Sequence, residues 1–446
     1  MLRSLFFVAA IATTTASAAE PARPNIVVFL TDDLGYHDTT PYGATDVRTP
    51  NLKRLAEAGC AFSHMFVASP SCAPSRAALL TGLMPARNGA EANHSRPREM
   101  IRKLPAYLKE RGYEVAAFGK VAHYRQNGLY GFDTHDDRPD PKLVAEFLGK
   151  RDKTKPLCLF VGVHEPHVPW PANDGYDPKA LSLPPTHLDT PETRDFRARY
   201  HTSVTRADAK LGEVYGLAKK AFGDNLLFVF LSDHGAQWPF GKWNLYDAGI
   251  RVPFLIVWPE VVKPGSKSDA LLSSVDLLPT LVDAAGGAAP KDIDGRSFLD
   301  VLRGKTTTHG ERIFATHTND GEMNVYPIRC VRTRDYKYIR NLHPDCEHTT
   351  HIDRAKPVDG RHYWESWVAA ATKDLKAAGT VSRYHARPAE ELYDLAADPH
   401  EQTNLAGDPK HAERLRAFRA EIDEWMNAQG DEGKVFATPR KLPARK

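Results

Sequence analysis

The chain has 446 residues, 42% of them hydrophobic and 26% charged, with a formal net charge of +3. That composition excludes a disordered or low-complexity chain and leaves room for one large core plus a smaller one. The mild positive excess suits a protein that handles anions. Nucleic-acid binding would call for a concentrated basic run, and none occurs outside the Lys434–Lys446 tail, which is expected to be a solvated end.

The first predicted element is residues 1–19, with a single Arg3, an apolar stretch from Leu5 to Ile11 and small residues at Ala16-Ser17-Ala18. This is the layout of a cleaved secretory signal; a membrane anchor needs about 20 apolar residues. No later segment reads as a membrane span. With one N-glycosylation sequon, Asn93-His94-Ser95, the expected location is a bacterial periplasm or the medium in preference to a lysosome. The cysteines, Cys60, Cys72, Cys158, Cys330 and Cys346, are odd in number for an exported chain. If Cys72 is consumed by modification, two alternatives stay open for the rest: a Cys330–Cys346 bridge across a hairpin, or buried free thiols.

After the signal, near-continuous apolar runs alternate with helical patterns, which predicts an α/β fold with a large, mostly parallel sheet sandwiched by helices. The runs are Asn25–Leu30, Ala61–Val67, Tyr113–Phe118, Leu157–Val163, Leu226–Leu231 and Pro253–Trp258; helices are predicted at Asn51–Ala58, Ala77–Met84 and Arg197–Lys220. Past about Gly310 the texture changes. Val331–Asn341 alternates like a strand with one wet face, Glu391–Leu395 follows, and a last helix at His411–Gln429 puts Leu415, Phe418, Ile422, Trp425 and Met426 on one stripe. A smaller C-terminal antiparallel sheet plus helix is therefore expected, with residues 20–310 as the catalytic unit and 311–446 as the second. The His343–Arg387 stretch, rich in His, Arg and Trp, is predicted to be a long functional loop.

Chemistry-bearing segments follow the runs. Asp32-Asp33 comes after the first, Cys72-Ala73-Pro74-Ser75-Arg76 after the second, and Lys120 with His123 after the third. His164-Glu165-Pro166-His167 and Ser232-Asp233-His234 end the next two. In a parallel sheet these strand ends share one edge, where α/β enzymes build their sites. Three carboxylates brought together resist joint ionisation unless a cation sits among them, and hard oxygen ligands suit calcium or magnesium. An Asp-Asp pair after a strand is otherwise a turn or helix cap. Cys72 precedes a helix whose first turn carries Pro74, which sets it at the positive end.

Cys72-x-Pro74-Ser75-Arg76 followed by Leu80-Thr81-Gly82 resembles the signature of the type I sulfatases, in the alkaline-phosphatase-like superfamily, and the resemblance runs from about Pro24 to Leu405. It implies that Cys72 is oxidised to formylglycine by a formylglycine-generating enzyme, and that Asp32, Asp33, Asp233, His234 and residue 72 hold one calcium ion, with magnesium less favoured. Arg76 would fix the formylglycine hydrate, and Lys120, His123, His167 and Lys242 would surround the sulfate of a sulfated carbohydrate. The Lys120-x-x-His123 spacing and His234 are similar to iduronate-2-sulfatases. The short segment from Asp233 to Lys242 and Tyr336–Asn341 are similar to heparan N-sulfatases. A phosphate or phosphonate monoester hydrolase of the same superfamily, or a non-catalytic glycan-binding relative, are the alternatives. Arg96, Arg361, His362, Arg383 and His385, with His94, Arg98 and His348, could line an anionic-sugar cleft, and Trp364 and Trp367 could stack on a sugar; the other reading is solvated charges and core aromatics. His164 is read as structural, and His37 and His64 as packing or surface residues.

Overall fold

The computed structural model describes residues 23–443, so the expected signal at 1–19 lies outside the described residues. In chain order the first strands are β1 (Asn25–Thr31), β2 (Cys60–Phe62), β3 (Met65–Phe66), β4 (Glu114–Gly119), β5 (Thr134–Asp136), β6 (Leu157–Gly162) and β7 (Leu226–Ser232). Next come β8 (Phe254–Val257), β9 (Ser266–Ser268), β10 (Leu272–Ser273), β11 (Arg312–Asp320), β12 (Asn324–Thr333), β13 (Tyr336–Asn341) and β14 (Glu390–Asp394).

Eight of these form one sheet in the order β5-β4-β6-β1-β7-β8-β2-β9, in which only β8 runs against the others. β1 lies at its centre with Ile26 to Leu30 buried, flanked in register by β6 and β7. A strand covered on both faces needs apolar side chains on both, hence its unbroken run. The helices Pro50–Ala58 and Pro191–Phe222 pack with the sheet, the second starting six residues before the predicted Arg197. A separate antiparallel sheet, β11-β12-β13-β14, follows. The helix Ala412–Gln429 closes it by seating Leu415, Phe418 and Ile422 on Val331, Tyr338 and Leu392, with Trp425 stacked on Phe314 at 4.7 Å.

Several expectations need correction. The second apolar run is not one strand: Ser63 and His64 part β2, in the large sheet, from β3, which pairs with β10 in a small sheet of its own. Val331–Asn341 is the end of β12, a turn at Arg334-Asp335, and β13. His343–Arg387 is not a loop; it holds the helices His351–Arg354, Arg361–Ala371 and Leu375–His385. Buried Tyr363, Trp364, Trp367 and Tyr384 give these helices their packing, so the two tryptophans are core aromatics. No disulfide forms: Cys330 lies in β12, paired with Ala315 of β11 and Ile339 of β13, and all five thiols are free and buried. The described part of the tail is mostly exposed, as expected, and is held at Lys441, which bridges to Cys346 by backbone, and at Arg440, which pairs with Glu347 at 3.0 Å. Among the described residues no helix is long and apolar enough to cross a membrane.

Candidate active site

Asp32 and Asp33 sit just past the C-terminal end of β1, and Asp233 and His234 just past that of β7, so adjacent parallel strands deliver them to one edge. Asp33 has φ 69°, a left-handed conformation that Asp tolerates better than most residues. The backbone N–H groups of Asp33 and His234 both donate to Asp233 Oδ1, at 3.1 and 2.9 Å. The helix Cys72–Thr81 starts five residues before the predicted Ala77, which makes Cys72 its first residue; Gly82, at φ 67°, ends it.

One ligand atom from each of Asp32, Asp33, Cys72, Asp233 and His234 lies within 4.8 Å of all the others, and all five residues are buried. The Cys72 Sγ is 3.4 Å from His234 Nε2 and 3.4 Å from Lys120 Nζ. His234 Nδ1 donates to the Gly235 carbonyl at 3.0 Å, which leaves Nε2 as the lone-pair nitrogen facing the cluster. Three carboxylates and an imidazole nitrogen are an oxygen-rich donor set that fits a hard divalent cation.

Three buried cations complete the cluster. Arg76 donates from Nε to Asp233 Oδ2 at 2.9 Å, from Nη2 to Asp32 Oδ1 at 3.2 Å, and to the Lys120 carbonyl. Lys120 reaches Asp32 Oδ2 at 2.6 Å, and Lys242 reaches both oxygens of Asp33 at 3.0 and 2.8 Å. Burial opposes ionisation of Asp32 and Asp33, yet Lys120 and Arg76 hold the first carboxyl, and Lys242 the second, below the ordinary range. Asp233 is raised, because burial outweighs its contact with Arg76. Burial pushes the Cys72 thiol up to about 12, so the unmodified side chain is a neutral thiol and a poor nucleophile.

Lys120 gets its place from Gly119, at φ 77°, where a Cβ would lie 2.0 Å from the Gly162 carbonyl oxygen. Only glycine lets β4 approach β6 so closely and turn there. His167 Nδ1 donates to the Val168 carbonyl, and Nε2 stands 3.9 Å from Asp33 Oδ2. Burial, with Lys242 nearby, lowers its pKa to about 4. His123 Nε2 is 2.7 Å from His94 Nδ1; burial first, then Lys120 and His94, lower its pKa to about 2. The rings of His94, Tyr124 and His164 stand half-exposed over this group, with Cys72 2% exposed beneath. Burial lowers the pKa of His164 as well.

The residues suggested as substrate contacts fare differently. Arg96 is exposed. Arg361 pairs with Glu365 on its own helix at 2.9 Å, and His362 lies against Phe196. Arg383 donates to the Glu401 carbonyl and covers Phe240, while His385 bonds the His348 carbonyl and abuts Trp364. His348 is wholly buried. Arg383, His385 and His348 are therefore engaged by partners within the fold. Asn93, Asp320, His351 and Trp243 were missed. Asn93 Nδ2 and Trp243 Nε1 both donate to Asp320, at 2.9 and 2.7 Å, and His351 stacks on Trp243 at 4.9 Å. The sequence signals were slight: Trp243 adjoins Lys242, and Asn93 was seen only as a sequon, although it is buried and hydrogen-bonded.

An α/β fold that sets carboxylates, a cysteine and three cations at one sheet edge has the donor set for a divalent cation beside a positive, anion-receptive pocket. A family model described as Sulfatase matches residues 24–288, and one described as N-sulphoglucosamine sulphohydrolase, C-terminal matches residues 234–376. The chain belongs to the sulfatase family and is a sulfatase enzyme. It is 35% identical over 433 residues to an ulvan-active sulfatase of Formosa agariphila, covering 93% of this chain and 82% of that one. To the N-sulphoglucosamine sulphohydrolase of Homo sapiens it is 29% identical over 470 residues, covering 91% and 90%. A solved structure in complex with its substrate D-glucosamine-2-N,6-O-disulfate superposes with a TM-score of 0.71 at 21% identity, over 92% of this chain and 99% of that one.

Proposed function

We propose that this protein is an exported sulfatase that removes sulfate from a sulfated saccharide, with formylglycine at position 72 and one calcium ion held by Asp32, Asp33, Asp233 and His234. The observation that carries the reading is the meeting of those four side chains with Cys72 inside 4.8 Å. Formylglycine would supply, as its hydrate, one hydroxyl to attack sulfur and displace the leaving alcohol or amine, and a second whose deprotonation would expel sulfate and restore the aldehyde. A calcium ion held by those residues would supply Lewis-acid stabilisation of developing negative charge.

The chain's own residues do the rest. Lys120 and Lys242, paired here with Asp32 and Asp33, would turn their ammonium groups to an anionic substrate once those carboxylates hold a cation. Together with Arg76 they form a dry, preorganised positive wall, the kind of term that outweighs proton transfer in such sites. His167 Nε2 is the proton donor to the departing oxygen or nitrogen: neutral in the free site, it gains basicity when a sulfate group brings negative charge beside it. His123, neutral and buried, takes the proton of the second hydroxyl. General acid and base steps of this kind contribute about 10^2–10^4 in rate.

The names of the relatives point to saccharides carrying O-sulfate, as in ulvan, or N-sulfate on glucosamine. The test is mass spectrometry of the Ser71–Arg76 peptide, followed by sulfate-release assays on ulvan oligosaccharides, N-sulfoglucosamine and nitrophenyl phosphate. An aldehyde at position 72 and sulfate release are expected. A phosphate preference of about a hundredfold, equivalent to about 2.7 kcal/mol in the barrier, would assign the site to phosphate esters instead.

A further inference from the structure

Asp320 ends β11 and so comes from the small sheet, yet its neighbours belong to the site. Its Oδ2 accepts from Asn93 Nδ2 and Trp243 Nε1, and its Oδ1 lies 3.2 Å from His94 Nε2. Asn93 in turn accepts, through Oδ1, from the Ala73 backbone N–H at 3.0 Å, beside Cys72. His94 presents its other nitrogen, Nδ1, to His123 Nε2 at 2.7 Å. The carboxylate, His94 and His123 thus form one chain, and at its far end His123 Nδ1 is buried with no hydrogen-bond partner.

We infer that Asp320 and His94 are positioning residues which fix the tautomer of His123, so that His123 Nδ1 is the atom that accepts the proton. The inference rests on the role given to His123 above. Its basis is the direction of the hydrogen bonds. An ionised carboxylate can only accept, so a neutral His94 carries its proton on Nε2 and offers the Nδ1 lone pair. His123 must then donate from Nε2, and its own lone pair is left on Nδ1. Asp320 is held ionised against its burial by His94, His351 and Trp243. Burial first, then the charges of Lys120, His94 and Arg76, favours the neutral form of His123. When Nδ1 takes a proton, the bond from His123 Nε2 to His94 becomes charge-assisted and is backed by the Asp320 carboxylate, as a carboxylate backs the imidazole of a hydrolase triad.

The decisive measurement is the nitrogen NMR spectrum of His123, assigned with a His123→Gln control, in the full-length protein with Cys72 unmodified. Protonation at Nε2 is expected in the wild type, with loss of that preference in Asp320→Asn and His94→Gln. In the mature enzyme both variants are expected to lower kcat about 10–100-fold, the usual effect of removing an outer partner of a working imidazole, with KM little changed. His94→Gln alters a half-exposed side chain, so it keeps the test decisive if Asp320→Asn fails to fold. A wild-type His123 protonated at Nδ1 would overturn the inference, as would a raised KM at unchanged kcat, which would make Asp320 and His94 substrate contacts. The NMR arm needs no turnover. Absent sulfate release with the Nε2–H tautomer present would count against the proposed reaction alone.

Discussion

Arg76 is held wholly inside the protein between two carboxylates and a carbonyl. Replacing it with Ala leaves Asp32 and Asp233 short of a buried counter-charge, a loss of roughly 3–5 kcal/mol for a broken buried pair. Arg76→Ala is therefore expected to melt well below the wild type in a chelating buffer, and an unchanged melting temperature would mean that the ion pairs do not form. A second prediction concerns the metal. Calcium at about 100 times its Kd should stabilise the wild type by about 2.7 kcal/mol. Thermal scans with and without calcium should show this upward shift, and Asp33→Asn should largely remove it. Cys72, Arg76 and the three aspartates were legible because they stand in short, dense patterns beside apolar runs. Asp320 was not. It lies over 200 residues from its Asn93 partner, in a polar segment where one carboxylate looks like any other, and only the packing of the small sheet on the large one makes it part of the site.

Among the elements, the strands were readable wherever burial on both faces forced an unbroken apolar run, as in β1, β6 and β7. The pattern failed where one run served two sheets, since apolar residues flank the polar Ser63-His64 break closely on both sides and 61–67 reads as a single run. It failed also for the helices of residues 351–385, whose buried faces are short and aromatic. Their caps were nevertheless present in the sequence: Thr350 and Asp353 form a capping box, and Asp374 accepts from the Ala377 amide. Glycine geometry supplies the prediction at this scale. Gly112 and Gly119 both have φ near 77°, but a Cβ at Gly112 meets nothing within 4 Å, whereas one at Gly119 strikes the Gly162 carbonyl. Gly112→Ala should cost only the left-handed penalty of about 1–2 kcal/mol. Gly119→Ala should cost more and also lower kcat by moving Lys120, as paired melts and rates would show.

Across the whole molecule, the small sheet is tied to the large one by buried charge. Asp247 accepts from Arg332 at 3.0 and 2.9 Å and pairs with Lys337 at 2.5 Å, and Lys337 also reaches Glu401 at 2.7 Å. We propose that the boundary near residue 310 is topological and that neither part folds usefully alone; residues 20–310 expressed by themselves should be insoluble. Stability should also depend on pH. His317 and His348 are buried neutral, with burial lowering His317 to about 4 and His348 well below its usual value. Both take up protons on unfolding below about pH 6.5, so their stability is present above that pH and lost as pH falls towards the folded values. From about pH 7 to about pH 5 the loss from His317 alone is about 2 kcal/mol, given its shift to about 4. Melting temperatures should drop across that range, and less steeply in His348→Gln. The most direct trial of the catalytic claim is sulfate released from ulvan oligosaccharides and N-sulfoglucosamine by matched preparations of wild type and Cys72→Ala. Steady release by the wild type and none by a Cys72→Ala protein of unchanged circular dichroism is the predicted result. Comparable release by both would contradict it.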